Sequence, residues 1–265
     1  MNLDIYTEEM AKSVWDKAFF MDKIIGAKCI IDFGCADGAM IRMLAPMFPN
    51  MLFFGYDINE DLLIRAESLS TTFSNVKYWR DGQIDLMIDN LFERGYTSDE
   101  ICLNFSSVLH EVFSSTPEGK EVIKKIINKL HPKYITIRDM YFHVENIDLD
   151  YEKFSELQKI SIISAYCKRA PGCYNKYVEK FGYIKNTKDL VHFMMKYQWR
   201  DNDYEQELKE NYFAWTIKDF QDLVGNYKVI FETHYLLPYY LDQWETYGIG
   251  PKVHTHAQFI LRRDE

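Results

Sequence analysis

IIDFGCADG, residues 30–38, is the stretch on which the fold is decided. The apolar run KCIIDF (28–33) ends on an acid and meets Gly34 at once, the pattern of a buried strand running into a tight turn. ADGAMIRMLAPMF (36–48) then reads as a helix that stops near Pro46 and Pro49. A strand, a glycine turn and a helix in this order aim backbone N–H groups and a helix N-terminus at a ligand. Gly34 supplies the turn, and the small residues Ala36 and Gly38 let a bulky group approach the backbone. Spacing separates the candidate ligands. A dinucleotide fingerprint, G-x-G-x-x-G, needs small residues at 34, 36 and 39 with glycine favoured throughout. Here the order is Asp32, then Gly34-x-Ala36-x-Gly38.

Outward from this turn the chain keeps one rhythm. MLFFGYD (51–57) reads as a second buried strand, INEDLLIRAESLSTTF (58–73) as a helix and VKYWR (76–80) as a third strand. A helix is expected within 84–98, a fourth strand with its outgoing loop at 100–109, a helix at 117–130 and a fifth strand at 134–142. Continuous apolar strands alternating with amphipathic helices are the mark of parallel βαβ units buried on both faces. Before them, Met10, Val14, Ala18 and Met21 predict an amphipathic helix over 7–24. The rhythm breaks near 145 and resumes with a helix at 216–224 and strands at 228–237 and 256–263, a terminal pair expected to lie antiparallel. Three regions follow: a core at 1–145, a helical insertion at 146–212, and 213–265 completing the sheet.

Further acids stand where a ligand at the strand ends would meet them. Asp57 closes the second strand nineteen residues after Gly38, with Ile58 beside it, placed to accept hydrogen bonds from both hydroxyls of a ribose. RDGQID (80–85) follows the third strand and carries Asp81 and Gly82, and FSSVLHEVF (105–113) follows the fourth. Together these segments resemble the motifs of the class I S-adenosylmethionine (SAM)-dependent methyltransferases over roughly 28–143 and 216–263. Ala36 stands where that family favours its middle glycine. The resemblance implies a doubly wound α/β fold with a mostly parallel seven-stranded sheet of order 3-2-1-4-5-7-6, its last strand antiparallel, and a helical insertion after strand 5. It implies SAM as cofactor and S-adenosylhomocysteine (SAH) as product. The cofactor would be held by Asp32, Phe33, Gly34, Cys35, Ala36, Gly38, Asp57, Ile58, Asp81, Gly82, Phe105 and Ser106, with Asp81 at the adenine amino group.

Methyl transfer from a sulfonium needs alignment, exclusion of water and sometimes a base. The residues at the exits of strands four and five, His110, Glu111, Asp139 and Tyr141, are the candidates for acting on the acceptor. His110 is the best base by its ordinary pKa. Arg138 or a lysine of the insertion would serve a carboxylate or phosphate acceptor.

Net charge is −9, yet residues 151–200 carry +6 and the remainder −15. The segment 166–188 holds six basic residues, one acid, four tyrosines and Phe181. Basic groups interleaved with aromatics suit phosphate contact and base stacking, which makes RNA or a nucleotide the first acceptor class and the insertion a lid. Aromatic packing behind a solvated face is the competing reading. A metabolite acceptor, or SAM/SAH binding without transfer, are the alternative functions. Five cysteines without a C-x-x-C pair predict free thiols and no metal site. No apolar run of about 18 residues occurs, and the first twenty residues mix acids and bases, so a cytoplasmic protein with no membrane contact is expected. Oligomeric state has no signature in the sequence.

Overall fold

A computed structural model describes residues 13–114, 117–144, 154–201, 204–238, 240, 244 and 253–264. The elements run α1 (Val14–Lys17), β1 (Cys29–Phe33), α2 (Ala39–Leu44), β2 (Leu52–Tyr56), α3 (Glu60–Leu69), β3 (Val76–Trp79) and α4 (Ile84–Glu93). Then come β4 (Ile101–Ser106), α5 (Leu109–Ser114), α6 (Pro117–Leu130), β5 (Tyr134–Val144), α7 (Glu156–Arg169), α8 (Cys173–Phe181) and α9 (Thr187–Tyr197). The chain ends with α10 (Tyr204–Glu207), α11 (Ile217–Val224), β6 (Tyr227–Tyr235) and β7 (Val253–Arg263).

The seven strands form one sheet in the expected order β3-β2-β1-β4-β5-β7-β6, parallel through β5 and antiparallel at its last strands. β1 is flanked by β2 and β4 in matched register, so that Asp32 lies opposite Gly55 on one side and Asn104 on the other. Every residue of β1, β2 and β4 is buried, as strands covered on both faces require. α6 buries Ile123, Ile126, Ile127 and Leu130, an apolar stripe at spacings of three and four. Its exposed Lys125 and Lys129 share Asp85 of α4. α3 begins on an Asn59 side chain that accepts the Leu62 N–H, and α11 on a reciprocal Thr216–Asp219 cap.

The chain divides into two compact units. The first comprises 1–139, 215–233 and 258–265, and the second 140–214 and 234–257. A core of Phe20, Ile30, Met40, Ile41, Phe53, Leu63, Cys102 and Ile260 lies in the first. The second is built round Tyr166, Tyr177, Leu190, Phe193, Met194, Tyr197, Tyr212 and Trp244. Tyr177 donates to the Asp189 carbonyl, and its hydroxyl lies 3.0 Å from His192 Nδ1. Burial drives His192 down to about 3, so it packs here as a neutral ring.

The N-terminal segment differs from expectation. Within the described residues the helix covers only Val14–Lys17 and turns occupy 18–23, while 7–12 lie outside them. Val14, Ala18 and Met21 of the expected stripe are partly buried against the core, while Phe20 and Ile24, outside that spacing, are the residues fully within it. Among the described residues, no helix is long and apolar enough to cross a membrane.

Candidate cofactor and acceptor site

The turn after β1 is bound to the end of β2. Gly34 and Cys35 donate backbone N–H groups to the Tyr56 carbonyl at 2.8 and 3.1 Å. Ala36 N–H donates to Asp57 Oδ2 at 2.8 Å, while Asn59 N–H donates to Asp57 Oδ1 at 2.8 Å. Three residues of the loop have left-handed backbone: Gly34 (φ 77°), Ala36 (φ 49°) and Gly38 (φ 75°). A Cβ on Gly38 would lie 2.8–2.9 Å from Tyr78 ring carbons and nearer still to its hydroxyl oxygen. Glycine there is set by both backbone angle and space. Ala36 carries a side chain in a region that costs a non-glycine residue about 1 kcal/mol or more.

Asp32 is buried at the foot of this turn. Its Oδ1 accepts from Asn104 Nδ2 at 2.7 Å, and Asn104 Oδ1 accepts from Thr136 Oγ1 at 2.8 Å. Burial pushes the Asp32 carboxyl up to about 6, against the opposing pull of Asn104 and Lys17. Lys17 is itself only 8% exposed. Burial, then Arg138, bring its ammonium down to about 8, while Asp32, Asp37 and Asp139 work the other way. Val14, Lys17, Asp32, Gly34, Cys35, Ala36, Asp37, Ala39, Met40 and Ser106 line a narrow cleft. A carboxylate, an ammonium and a ring of backbone therefore converge at the carboxyl end of β1.

Of the residues expected to hold a cofactor, Asp32, Gly34, Cys35, Ala36, Gly38, Asp57 and Ser106 gather round the turn or line the cleft. The Asp57 carboxylate is held by backbone N–H groups, Ala36 on Oδ2 and Asn59 on Oδ1, with Ile58 N–H also bonded to it. Ile58 beside it is 75% exposed and offers an apolar face. Asp81 accepts from the Tyr56 hydroxyl at 3.2 Å and from Gly82 N–H at 2.8 Å, which ties the turn after β3 to β2. Phe33 and Phe105 are core residues. Phe33 stacks on Tyr56 at 4.9 Å, and Phe105 meets Phe33 and Phe220.

His110 and Asp139 are brought together. His110 Nδ1 lies 2.6 Å from Asp139 Oδ1, and Asp139 Oδ2 accepts the Leu109 and His110 backbone N–H groups at 2.6 and 3.1 Å. The Asp139 carboxylate accepts a hydrogen bond from Nδ1–H, which leaves the ring lone pair on Nε2. Glu111 is exposed on α5. Tyr141 lies in the part of β5 belonging to the second unit, its ring 5.3 Å from His234. Arg138 does not stand open to an anionic acceptor. It is 3% exposed, with Nε on Asp16 at 2.6 Å and Nη1 on the Ser107 hydroxyl at 2.8 Å.

Sequence reasoning missed Lys17, Asn104 and Tyr78. Lys17 stands three residues after Val14 and one before Ala18, inside the apolar stripe of its segment, which was the available signal. Asn104 is the lone amide in the apolar run ICLNF. Tyr78 has no sequence signal, because its partner glycines are distant in the chain.

The sheet order, the glycine turn and the acid ending β2 make this the fold of the class I SAM-dependent methyltransferases. Solved structures with it include TnmH, with TM-score 0.52, 10% identity, 98% of this chain covered and 57% of that one. An O-methyltransferase family protein from Burkholderia thailandensis has TM-score 0.51 and 12% identity over 99% of this chain and 60% of that one. The plantazolicin methyltransferase BamL, solved with a triazolic desmethylPZN analog and SAH, has TM-score 0.50 and 11% identity over 99% of this chain and 88% of that one. This chain thus spans about three fifths of the first two. No protein-family model and no curated protein matches the sequence. At these identities the likeness is one of fold.

Proposed function

We propose that the chain is a SAM-dependent methyltransferase acting on a small molecule, with His110 as the base. The observation that carries the reading is the cleft at the carboxyl end of β1, where Asp32 and Lys17 flank a left-handed turn whose Ala36 N–H is held by Asp57. These residues fit the cofactor. Asp32 and Lys17 are the opposite charges that a methionyl ammonium and carboxylate would meet, and Asp57 closes β2 beside the turn, where an acid would meet a ribose hydroxyl. Bound SAM supplies a methyl group on a sulfonium, already activated for displacement. Asp139 orients the His110 ring and stabilises its protonated form, so Nε2 would take the proton of an acceptor hydroxyl or amine.

RNA or a nucleotide, the acceptor suggested by the basic tyrosine-rich segment, has less stacking surface than four tyrosines would offer. Tyr166 and Tyr177 are buried in the second unit's core, and of that segment's tyrosines Tyr183 is the one that stands mainly in solvent, 70% exposed. The occurrence of an O-methyltransferase family protein and a plantazolicin methyltransferase among the fold neighbours also favours a small acceptor.

The test is transfer of labelled methyl from SAM into a fractionated extract, with Asp57→Ala as control. Label in the metabolite fraction, lost in the variant, supports the proposal. Label in RNA overturns the acceptor. SAH binding with no transfer into any fraction favours a binding role, and no SAH binding at all removes the cofactor reading.

A further inference from the structure

α1 is a single turn, Val14–Lys17, too short to be stable by itself, yet its last residue, Lys17, lines the cofactor cleft. Two strands grip the residue before it. Arg138 of β5 donates from Nε to Asp16 Oδ2 at 2.6 Å. Gln258 of β7 donates from Nε2 to Asp16 Oδ1 at 2.7 Å and to the Asp16 carbonyl at 3.1 Å. β5 and β7 are neighbours in the sheet. Arg138 is fixed in turn by Ser107, whose hydroxyl accepts from Nη1 at 2.8 Å and whose N–H donates to the Arg138 carbonyl at 2.7 Å. All of these residues belong to the first unit.

We propose that Arg138 and Gln258 are positioning residues: through Asp16 they seat Lys17 in the cleft, where its ammonium meets the carboxylate of the cofactor. This rests on the assignment of Lys17 to that carboxylate and adds what sets the lysine there.

Both Asp16 oxygens are engaged, each from a different strand, which fixes the direction of the side chain as well as its place. The bond from Gln258 to the Asp16 carbonyl acts on the peptide that joins Asp16 to Lys17. Phe20 and Ile24 anchor the segment further on, but apolar burial is non-directional and does not set the angle of Lys17. Arginine suits the clamp because Nε and Nη1 reach two partners at once, which a lysine ammonium at that position would not. Arg138 also acts on Lys17 through space: after burial, its charge is the main cause that lowers the ammonium, with Asp32, Asp37 and Asp139 opposing. A carboxylate arriving at Lys17 therefore meets the field of two cations.

The test is a double-mutant cycle on SAH affinity in the whole chain. Asp16→Asn removes the charge and keeps the size. A segment left seated about a tenth of the time binds SAH about tenfold more weakly. In the Lys17→Met background the same change should move the SAH Kd by less than about twofold, because no ammonium remains to be seated. Gln258→Ala leaves the ion pair and should show the same pattern more weakly, and it replaces Asp16→Asn should that chain not fold in melts at pH 7. In ligand-free Asp16→Asn the rise of stability between about pH 8 and 10.5 should shrink, since an unseated Lys17 titrates as an ordinary lysine. Equal weakening of SAH in both backgrounds marks a general structural role and overturns the proposal, as does an unchanged alkaline slope. Wild-type SAH affinity in folded Asp16→Asn and Gln258→Ala, with Lys17→Met weakened, overturns the clamp and leaves the cofactor reading intact. If Lys17→Met binds SAH as wild type does, the assignment of Lys17 to the carboxylate fails and the proposal falls with it.

Discussion

Gly38→Ala tests the cofactor loop most directly, because the structure fixes both parts of its cost. The residue sits at φ 75° and ψ 21°, left-handed backbone in which an alanine loses roughly 1–2 kcal/mol. The added methyl would stand 2.8 and 2.9 Å from Tyr78 Cζ and Cε1, well inside contact distance. Tyr78 has little freedom to withdraw. Its ring also lies against Gly55, where a Cβ would come within 2.5–2.7 Å of ring carbons, and its hydroxyl is 2.9 Å from Ser70 Oγ. Moving the ring gives up that hydrogen bond, about 1 kcal/mol. Alanine recovers about 0.4–1 kcal/mol by restricting the unfolded chain. The net loss is about 2 kcal/mol, or a fall in Tm of roughly 4–8 °C for a chain of this size. SAH affinity should fall at least tenfold, because the same shift displaces the turn. Urea melts and calorimetric titration of SAH measure the two effects. Gly38→Ala/Tyr78→Ala, compared with each single change, separates the clash from the backbone angle, since removing the ring should leave only the angle's share. A Gly38→Ala chain that melts within 1 °C of wild type and binds SAH unchanged would refute the reasoning.

Other perturbations read the same site from different sides. Ala36→Gly relaxes a left-handed alanine and should raise stability by about 1 kcal/mol in urea melts, with SAH binding kept. Asp57→Ala removes the acceptor of two loop N–H groups and of the ribose, so titration should find SAH weakened by at least 100-fold, with charge-assisted hydrogen bonds contributing about 1.5–3 kcal/mol each. His110→Gln should leave the SAH Kd within about threefold of wild type while lowering kcat by about 10²–10⁴, seen in steady-state kinetics on the identified acceptor. Asp32→Asn addresses pH. The folded carboxyl titrates near 6 against 3.8 for an ordinary aspartate, so between these values the folded state holds more protons. Wild-type stability should therefore fall by about 2 kcal/mol as pH rises from 4 to 6, and the variant should lose that slope in melts across the range.

Much of the fold was legible because it is written in contiguous residues. The strand runs, the turn at 34–38 and Asp57 each declare themselves over a few positions, and the sheet order follows from the family these motifs resemble. What the sequence hid depends on contacts across the sheet. Asn104 meets Asp32 only because β4 pairs with β1 in that register, and Tyr78 meets Gly38 only because β3 lies beyond β2. His110 and Asp139 were singled out separately, each at a strand exit. Their 2.6 Å pairing needed the β4–β5 neighbourhood. In the basic tyrosine-rich segment, periodicity cannot say which tyrosines a neighbour will bury. Tyr166 and Tyr177 went inside.

Three non-glycine residues among the described ones have left-handed backbone, and His131 (φ 44°), one of them, follows α6. Ala36 and Ser107 hold left-handed backbone at the ends of β1 and β4, and the buried charges of Lys17 and Asp32 face the same cleft. At pH 7 both charges oppose their surroundings, Asp32 because its pKa is raised and Lys17 because its ammonium is lowered to about 8. For Lys17 the folded state holds fewer protons than the unfolded chain between about 8 and 10.5, so stability should rise with pH across that interval. A residue kept at such cost in a cleft implies a ligand that relieves it, and a zwitterion would answer both charges at once. Lys17→Met separates the two roles. It keeps the length of the side chain and removes the buried charge, so the free protein should become more stable at pH 7 and lose the alkaline slope. SAH affinity should drop at least tenfold in the same variant, because the carboxylate loses its partner. Melts from pH 6 to 11 and calorimetric titration at pH 7 read both arms. If Lys17→Met leaves SAH affinity unchanged, Lys17 is not the carboxylate's partner, and the electrostatic account of the cleft fails whatever happens to the melting temperature.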